Sequence, residues 1–245
     1  FTDVVLERGD KAHAIKVLTT PDAPERGVIE GVRTILAEAK CPPSEVGLVV
    51  HGTTLATNAL IERKGARTAL VTTEGFRDSL EIAWEHRFEQ YDIYMERPDP
   101  LVSRDLRFGV PERVAADGAV LVALDEQAVR RVAAELRAEK IEAVAVCFLH
   151  SFTNEAHERR AGEILAEELP GVAISLSCEV CPEIREYERS STTAVNACLI
   201  PVFDRYMDRL EESLSQYSRR FLIMQSNGGI MSARAARKKP ASIIE

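Results

Sequence analysis

The chain has 245 residues, which fits one large domain or one domain with part of a second. A hydrophobic share of 45% excludes a mainly disordered chain, and a net charge of −8 argues against a nucleic-acid binder, which presents a basic surface. No apolar run approaches the ~20 residues that cross a bilayer. Five cysteines are too few, and odd in number, for a disulfide scaffold. We therefore expect a soluble, acidic α/β protein of the cytoplasm, without a nucleic-acid or membrane partner.

Both ends of the sequence are abrupt. The apolar stretch that follows Phe1-Thr2-Asp3 has no lead-in, and the residues after Pro240 stop as a new apolar segment begins. We expect a piece of a longer chain, and a natural terminus with ragged ends is the alternative.

The first part of the chain opens with two alternating runs on either side of Gly9-Asp10, a pattern that predicts a β-hairpin. Asp22 followed by Glu25 resembles a capping box at the start of a helix. The predicted elements are strands at residues 2–6, 12–18, 46–50 and 69–72, helices that end near residues 40, 64 and 83, and a long aromatic and proline-rich loop at 84–112.

The second part continues the alternation of strands and helices. Asp117-Gly118 predicts a second hairpin, Asp125 is placed to cap a helix, and Pro201 predicts a kink or a restart within the longest helix. The predicted elements are strands at residues 113–116, 119–124, 141–149, 172–176 and 221–225, and helices after 125, from about 154 to 170, and at 183–217. Together they predict an α/β fold with a mixed sheet of five or more strands, led by the opening hairpin, and helices on both faces.

The segment His51-Gly52-Thr53-Thr54 follows a predicted strand and opens a predicted helix. A flexible glycine and two hydroxyls at a helix N-terminus suit an anion or a polar carbonyl, because free N–H groups and the helix dipole converge there. The alternative is that Thr53 or Thr54 only caps the helix.

Two further polar segments each allow two interpretations. Residues 226–229, Ser-Asn-Gly-Gly after a strand, fit either a phosphate cradle or a plain hairpin turn. Residues 185–193 place charges and hydroxyls at the start of the longest helix, which fits a polar cleft or a solvated helix face with pairs four residues apart.

The cysteines and histidines give no metal-binding spacing. Cys178 and Cys181 lack a second pair of zinc-site spacing, and the five histidines form no HExxH pattern. We expect Cys178 and Cys181 to bind no metal and to form no functional disulfide.

Seven segments, spread over the whole chain in family order, resemble the hydantoinase A/5-oxoprolinase family, ATP-dependent enzymes that open cyclic imides or lactams. They are residues 1–3, 51–59, 75–78, 111–113, 151–152 with 156–158, 182–189 and 225–229. Residues 85–92 resemble the N-methylhydantoinase branch more than the acetone-carboxylase subunits.

The resemblance implies the actin/hexokinase-like ATPase architecture, in which two ribonuclease-H-like halves hold a nucleotide between them. The family's first phosphate loop, Asp-x-Gly-Gly-Thr-Phe-Thr-Asp, ends in the residues that stand here at 1–3. The implied domains are residues 1–182, a ribonuclease-H-like domain, and residues 183–245, a long helical connection and the start of the second hydantoinase A domain. The chain would then be the first half of a larger enzyme.

The chemistry that the resemblance implies is transfer of a phosphoryl group from ATP, with Mg²⁺, to the oxygen of a ring amide, which is otherwise unreactive toward water. It does not identify a general base. The implied site residues are Thr2, Asp3, Asn227, Gly228 and Gly229 for the nucleotide and its phosphates, with Asp3 also on Mg²⁺; His51, Gly52, Thr53, Thr54 and Asn58 for substrate or phosphate; and Arg77, Asp78, Glu186, Glu188 and Arg189 for a polar cleft.

The implied partners are a small cyclic amide and a hydantoinase B-like subunit, with self-association as a further option. Two alternatives stay open: the nucleotide-activating subunit of an acetone- or acetophenone-type carboxylase, and a non-catalytic assembly module. If the strands before residues 51–54 and 227–229 are parallel neighbours, we expect both loops and Asp3 to open onto one cleft, because ligands bind beyond the carboxyl ends of such strands.

Overall fold

A computed structural model describes residues 1–20, 23–84, 89–218 and 220–244. The chain divides into two compact units, one formed by Phe1–Thr57 with Phe203–Glu245 and the other by Asn58–Val202. We call them the outer-segment unit and the middle unit, after their places in the sequence. The domain division at residue 182 stays a prediction.

The elements alternate along the chain, as the sequence predicts. The strands are β1 (Thr2–Arg8), β2 (Lys11–Val17), β3 (Val49–His51), β4 (Thr68–Thr73), β5 (Arg107–Val110), β6 (Arg113–Val114), β7 (Val120–Val122), β8 (Ala143–Cys147), β9 (Ala173–Leu176), β10 (Phe221–Met224) and β11 (Ile230–Ser232). The helices are α1 (Pro24–Glu38), α2 (Leu55–Ile61), α3 (Ser79–Ile82), α4 (Glu126–Ala138), α5 (Ala156–Glu168), α6 (Ser177–Val180), α7 (Glu186–Leu214) and α8 (Ala233–Lys238). None of the helices in these described ranges is long and apolar enough to cross a bilayer.

The outer-segment unit begins with the predicted hairpin. Strands β1 and β2 pair antiparallel around Gly9, whose φ of +61° suits a tight turn. One face of the hairpin packs on α1 through Val4 and Ile35. Gly31 allows that approach, since a Cβ there would lie 2.6 Å from the Val4 Cγ2 atom. Helix α1 begins after Ala23, and the predicted cap Asp22 lies outside the described residues.

A three-stranded sheet completes this unit, in the order β11-β10-β3. Strand β10 runs parallel to β3, with Phe221 opposite Val49 and Ile223 opposite His51, and antiparallel to β11. Residues 226–229 therefore form the predicted hairpin turn, between β10 and β11, and the phosphate contact of this turn stays a prediction. The strand expected at 46–50 is shorter and half-exposed, because β3 pairs only over three residues.

The middle unit is built on a parallel sheet in the order β5-β4-β8-β9. Strands β4 and β8 are buried along their whole length, which confirms β8 as a central strand. The Asp117-Gly118 hairpin and the Asp125 cap, which accepts from the Ala128 N–H at 2.9 Å, are also confirmed. Strand β5 lies in the segment where the sequence predicted only a loop.

One structural prediction was wrong. The expected sheet of five or more strands led by the hairpin is not formed, since β1 and β2 pair with each other and the largest sheet of the described residues has four strands. Alternation reveals a strand but not its partner. Helix α7 runs through Pro201 without the restart that was one of the two expected outcomes, and the kink stays a prediction; Leu199 and Phe203, on either side of Pro201, are buried.

Candidate functional site

Two of the loops that the sequence singled out meet in the outer-segment unit. Because β3 and β10 are parallel neighbours, residues 52–54 and 225–229 leave the same edge of the sheet. Gly52 lies beside Met224 at the end of β10, where a Cβ on Gly52 would be 3.9 Å from the Met224 Cβ. The two loops are therefore adjacent, as expected from parallel neighbours.

His51, the last residue of β3, is packed among aromatic rings. Its Nε2 atom lies 2.7 Å from the hydroxyl of Tyr206, and its ring centroid lies 5.8 Å from that of Tyr206 and 6.3 Å from that of Phe221. Burial lowers the pKa of His51 to about 4, so the ring is neutral at pH 7. His51 therefore contributes to the packing of this unit, and the polar motif in the sequence gives no signal of these distant aromatic partners.

Thr53 links the start of α2 to the same cluster. Its Oγ1 accepts the Leu55 N–H at 3.2 Å, so Thr53 does satisfy an amide at the helix start. It also forms a side-chain hydrogen bond with Tyr206, whose pKa is raised by burial. Gly52, Thr54 and Asn58 are exposed around it, and their contact with a ligand stays a prediction.

Sequence reasoning missed Tyr206 as a site residue. It lies on the apolar stripe of α7, and 155 positions separate it from His51. A tyrosine in such a stripe is expected to be part of the core. The one available signal is its hydroxyl, because a buried phenol usually finds a polar partner.

Two N–H groups of the turn at 226–229 donate hydrogen bonds to neighbouring residues. The Gly228 N–H donates to Gln225 O at 3.0 Å, and the Gly229 N–H donates to Asn227 Oδ1 at 2.9 Å. Gly228 has a φ of +83°, which favours glycine at this position. A phosphate at this turn would compete with these bonds for the two N–H groups, and contact of Asn227, Gly228 and Gly229 with a nucleotide stays a prediction.

Thr2 and Asp3 lie at the open end of the hairpin. Thr2 shares a hydrogen bond of 3.0 Å with the hydroxyl of Thr19, and Asp3 forms an ion pair of 3.3 Å with Lys16. Within the described residues no three His, Cys, Asp or Glu side chains form a metal-binding group. A single carboxylate still suits Mg²⁺, which commonly keeps waters and phosphate oxygens as its other ligands. The placement of Asp3 beside the two loops stays a prediction.

Arg77 and Asp78 share an open pocket in the middle unit, with a volume of about 450 Å³. Asp78 receives two hydrogen bonds from Arg104, at 2.9 and 3.0 Å, and this pairing holds the pKa of Asp78 below its usual value. Behind it, the buried Arg107 places its Nη1 atom 3.8 Å from Asp78 Oδ1 and has no hydrogen-bond partner at that nitrogen in the described part of the chain. The pocket lining consists of Glu74, Gly75, Arg77, Asp78, Arg104 and Gly109.

Arg189 is buried within the fold of the middle unit. Its Nη2 atom donates to Phe148 O at 2.8 Å, just beyond β8. Glu158 on α5 accepts the Phe148 N–H at 2.8 Å and also the Ser177 hydroxyl and the Cys178 N–H, at 2.6 and 2.8 Å. A buried cation and a buried anion therefore hold opposite sides of one residue.

The remaining predicted residues of α7 lie near its start. Glu188 accepts the indole N–H of Trp84 at 3.0 Å, and Glu186 is the first residue of the helix.

The pKa of the Cys178 thiol is raised by burial, and so is that of Cys181. Metal binding by these two cysteines remains untested, and the prediction of none stands.

The sequence also missed a second buried carboxylate. Glu112 accepts from the Thr73 hydroxyl and lies 2.8 Å from the Nδ1 atom of His157. Both Glu112 and His157 belong to segments that carry the family resemblance, residues 111–113 and 156–158. That membership was the available signal.

Comparison with known proteins identifies the family. The family model "Hydantoinase/oxoprolinase N-terminal region" matches residues 1–169, and the model "Hydantoinase/oxoprolinase" matches residues 189–245. The chain therefore belongs to the hydantoinase/oxoprolinase family.

Relatives within the family include two enzyme subunits. The chain is 35% identical to the caprolactamase subunit alpha of Pseudomonas jessenii, over all of this chain and 36% of that protein. It is 32% identical to the acetophenone carboxylase gamma subunit of Aromatoleum aromaticum, over 94% of this chain and 34% of that protein. The chain thus spans about a third of the length of these relatives.

A solved structure supports the fold assignment. The crystal structure of the ATP-dependent caprolactamase from Pseudomonas jessenii superposes with a TM-score of 0.90 at 34% identity, covering 100% of this chain and 37% of that one. The α/β architecture of the two units is thus the ATPase-like fold of this family.

Proposed function

We propose that the protein to which this chain belongs hydrolyses a cyclic amide in a reaction driven by ATP. The observation that carries the proposal is the similarity to a caprolactamase subunit along the whole chain, at 35% identity and with a TM-score of 0.90 for the solved caprolactamase. We propose the edge of the sheet at residues 52–54 and 225–229 as the location, and the parallel pairing of β3 and β10, which end there side by side, supports it.

The proposed reaction uses ATP as a substrate. The amide oxygen attacks the γ-phosphorus and ADP leaves, which gives an O-phosphorylated imidate. One water adds to its carbon, and the ring nitrogen departs with the electron pair of the broken C–N bond and takes up a proton. A second water releases phosphate from the resulting acyl phosphate. The sum is lactam, ATP and two waters to amino acid, ADP and phosphate.

We propose a separate role in this reaction for each group of described residues. Thr2 and Asp3 would face the phosphates, and Asp3 offers the carboxylate through which Mg²⁺ would be bound. When bound, Mg²⁺ would neutralise phosphate charge. His51 and the loop that follows it would contact the amide or a phosphate oxygen. Arg77 and Asp78 would offer a separate charged pocket within the middle unit.

The test is an assay of the whole enzyme with five- to seven-membered lactams, 5-oxoproline and hydantoins. We expect ADP release that depends on one of these compounds, with a ring-opened product formed in equal amount. ADP release that depends on a ketone and bicarbonate, with no response to any cyclic amide, would overturn the proposal.

That outcome would support a second candidate, the nucleotide-activating subunit of a ketone carboxylase. The similarity to the acetophenone carboxylase gamma subunit favours it, at 32% identity over 94% of this chain. Both reactions begin with a carbonyl oxygen that attacks phosphorus, so the same loops would serve either substrate.

We also propose a second, hydantoinase B-like subunit as partner. Two of the relatives are named as subunits of larger enzymes. Co-purification of the complete protein with the product of a candidate partner gene, followed by mass measurement of the complex, would test this. A complete protein that opens lactams alone would contradict it.

A further inference from the structure

We infer that Tyr206 holds His51 as the tautomer with its proton on Nδ1, so that His51 donates a hydrogen bond to an acceptor oxygen of the ligand. The inference deepens the proposed function, on which it rests only for the identity of that oxygen, an amide carbonyl or a phosphate oxygen. Tyr206 is then a positioning residue, acting through His51.

The direction of the hydrogen bonds starts at the backbone of α2. The Leu55 N–H can only donate, and it donates to Thr53 Oγ1 at 3.2 Å. Thr53 is therefore an acceptor at that contact, and its own hydroxyl proton stays available to donate to the Tyr206 hydroxyl. With Thr53 as the donor, Tyr206 can give its own proton to another partner.

That partner is the Nε2 atom of His51. The 2.7 Å between Tyr206 Oη and His51 Nε2 is typical of an O–H donor, whereas N–H···O bonds cluster near 2.9–3.0 Å. An imidazole nitrogen is also a better proton acceptor than a hydroxyl. The phenol therefore donates to Nε2, and the single N–H of the neutral ring lies on Nδ1.

The surroundings keep both groups neutral. His51 is buried beside the ring of Phe221, and the pKa of Tyr206 is raised by burial and by the charge of Glu25. Glu25 itself faces Arg209 at 3.6 Å. Among the residues that the structure describes, no hydrogen-bond acceptor meets His51 Nδ1, so this N–H remains for a ligand.

The same geometry argues against a general base at this position. A base needs an unoccupied lone pair within reach of the proton that it removes. The lone pair of Nε2 is occupied by Tyr206, and Nδ1 carries the proton. His51 can therefore stabilise charge on an oxygen but cannot take up a proton there.

The first test reads the tautomer directly. In the whole enzyme labelled with ¹⁵N-histidine, we expect the signal of His51, assigned by its loss in His51→Asn, to show an unprotonated Nε2 and a protonated Nδ1. Tyr206→Phe should shift this signal toward a mixture of tautomers. A proton on Nε2 in the unaltered enzyme would overturn the inference. This measurement needs no turnover, so its result is independent of the proposed reaction.

The second test uses matched variants in the lactam assay. The Asn side chain of His51→Asn places an N–H close to the position of Nδ1, whereas His51→Ala has none. We expect kcat/KM to fall ~100-fold in His51→Ala, as for loss of an oxyanion donor. In His51→Asn, which keeps a donor, we expect a fall of only about tenfold. Equal losses in two folded variants would contradict the donor role.

The hydroxyl chain has its own controls. Thr53→Val should lower kcat and disturb the tautomer signal, while Thr53→Ser, which keeps the hydroxyl, should restore both. Tyr217→Phe removes a hydroxyl that packs elsewhere in the same unit, and it should change neither kcat nor the tautomer signal.

The KM values of the His51 variants identify the acceptor oxygen. A rise in the KM of the lactam alone indicates the amide oxygen, and a rise in the KM of ATP indicates a phosphate oxygen.

Discussion

Each unit has a polar cluster at the carboxyl ends of parallel strands, but the two clusters differ in how many of their hydrogen-bonding groups have a partner. In the middle unit, Glu158 uses both carboxylate oxygens, and Arg189 donates from all three guanidinium nitrogens, including the bond from Nε to the sulfur of Cys147 at 3.4 Å. In the outer-segment unit, His51 uses one ring nitrogen and keeps the other. A closed cluster stabilises the fold, and an open one can receive a ligand.

The largest expected effect is in the closed cluster. Glu158→Gln replaces a buried acceptor by an NH₂ group that faces a donor, so the free energy of unfolding of the middle unit should fall by about 3–5 kcal/mol. Hydrogen exchange of the β8 and β9 amides would measure this. The matched control is Glu163→Gln on the exposed face of the same helix, which should leave exchange unchanged. Equal exchange in the two variants would show that the cluster is not structural.

A smaller loss of stability is expected from Thr73→Val, which removes a buried hydroxyl elsewhere in the middle unit. The hydroxyl of Thr73 donates to Glu112 and accepts the Leu149 N–H at 2.9 Å. Valine at this position leaves the Glu112 carboxylate and the Leu149 N–H each without this hydrogen-bond partner. We expect a loss of about 2 kcal/mol in the stability of the middle unit, and Thr73→Ser should recover most of it. Chemical denaturation of all three proteins would measure the difference. A valine variant as stable as the serine variant would refute this account.

The open cluster predicts a dependence of stability on pH. His51 has a pKa of about 4 in the fold and an ordinary value of 6.5, so between these values the unfolded chain binds a proton that the folded chain does not. Its contribution to stability is therefore complete above pH 6.5 and is lost as the pH falls toward 4. We expect a loss on the order of 3 kcal/mol over this range that is absent in His51→Gln. Parallel stability curves for the two proteins would contradict the burial of His51.

The sequence predicted the elements whose signals are local. The Asp117-Gly118 turn, the Asp125 cap and the buried run of β8 each depend on neighbouring residues, and all three are confirmed. The motif at 51–54 was placed correctly at the end of a strand for the same reason.

Several hydrogen bonds within the two units join residues far apart in the chain. Tyr206 reaches His51 across 155 positions, and Thr73 reaches the Leu149 N–H across 76. No spacing rule covers such distances, since the pairing of strands and the rotation of each helix decide them. Arg189 shows the same limit, because a guanidinium in a polar segment fits a solvated cleft and a buried clamp equally well.

The smallest expected effect on the fold concerns Arg77. Its side chain is exposed at the pocket of the middle unit, where it acts on Asp78 only through charge, so Arg77→Ala should leave the melting temperature unchanged. If the pocket takes part in the proposed reaction, the lost charge should raise the KM of the lactam or of ATP several-fold. Arg33→Ala, which removes an exposed arginine from α1, is the control and should change neither quantity. An unchanged KM in Arg77→Ala would exclude this side chain from ligand binding and leave the open cluster around His51 as the remaining candidate.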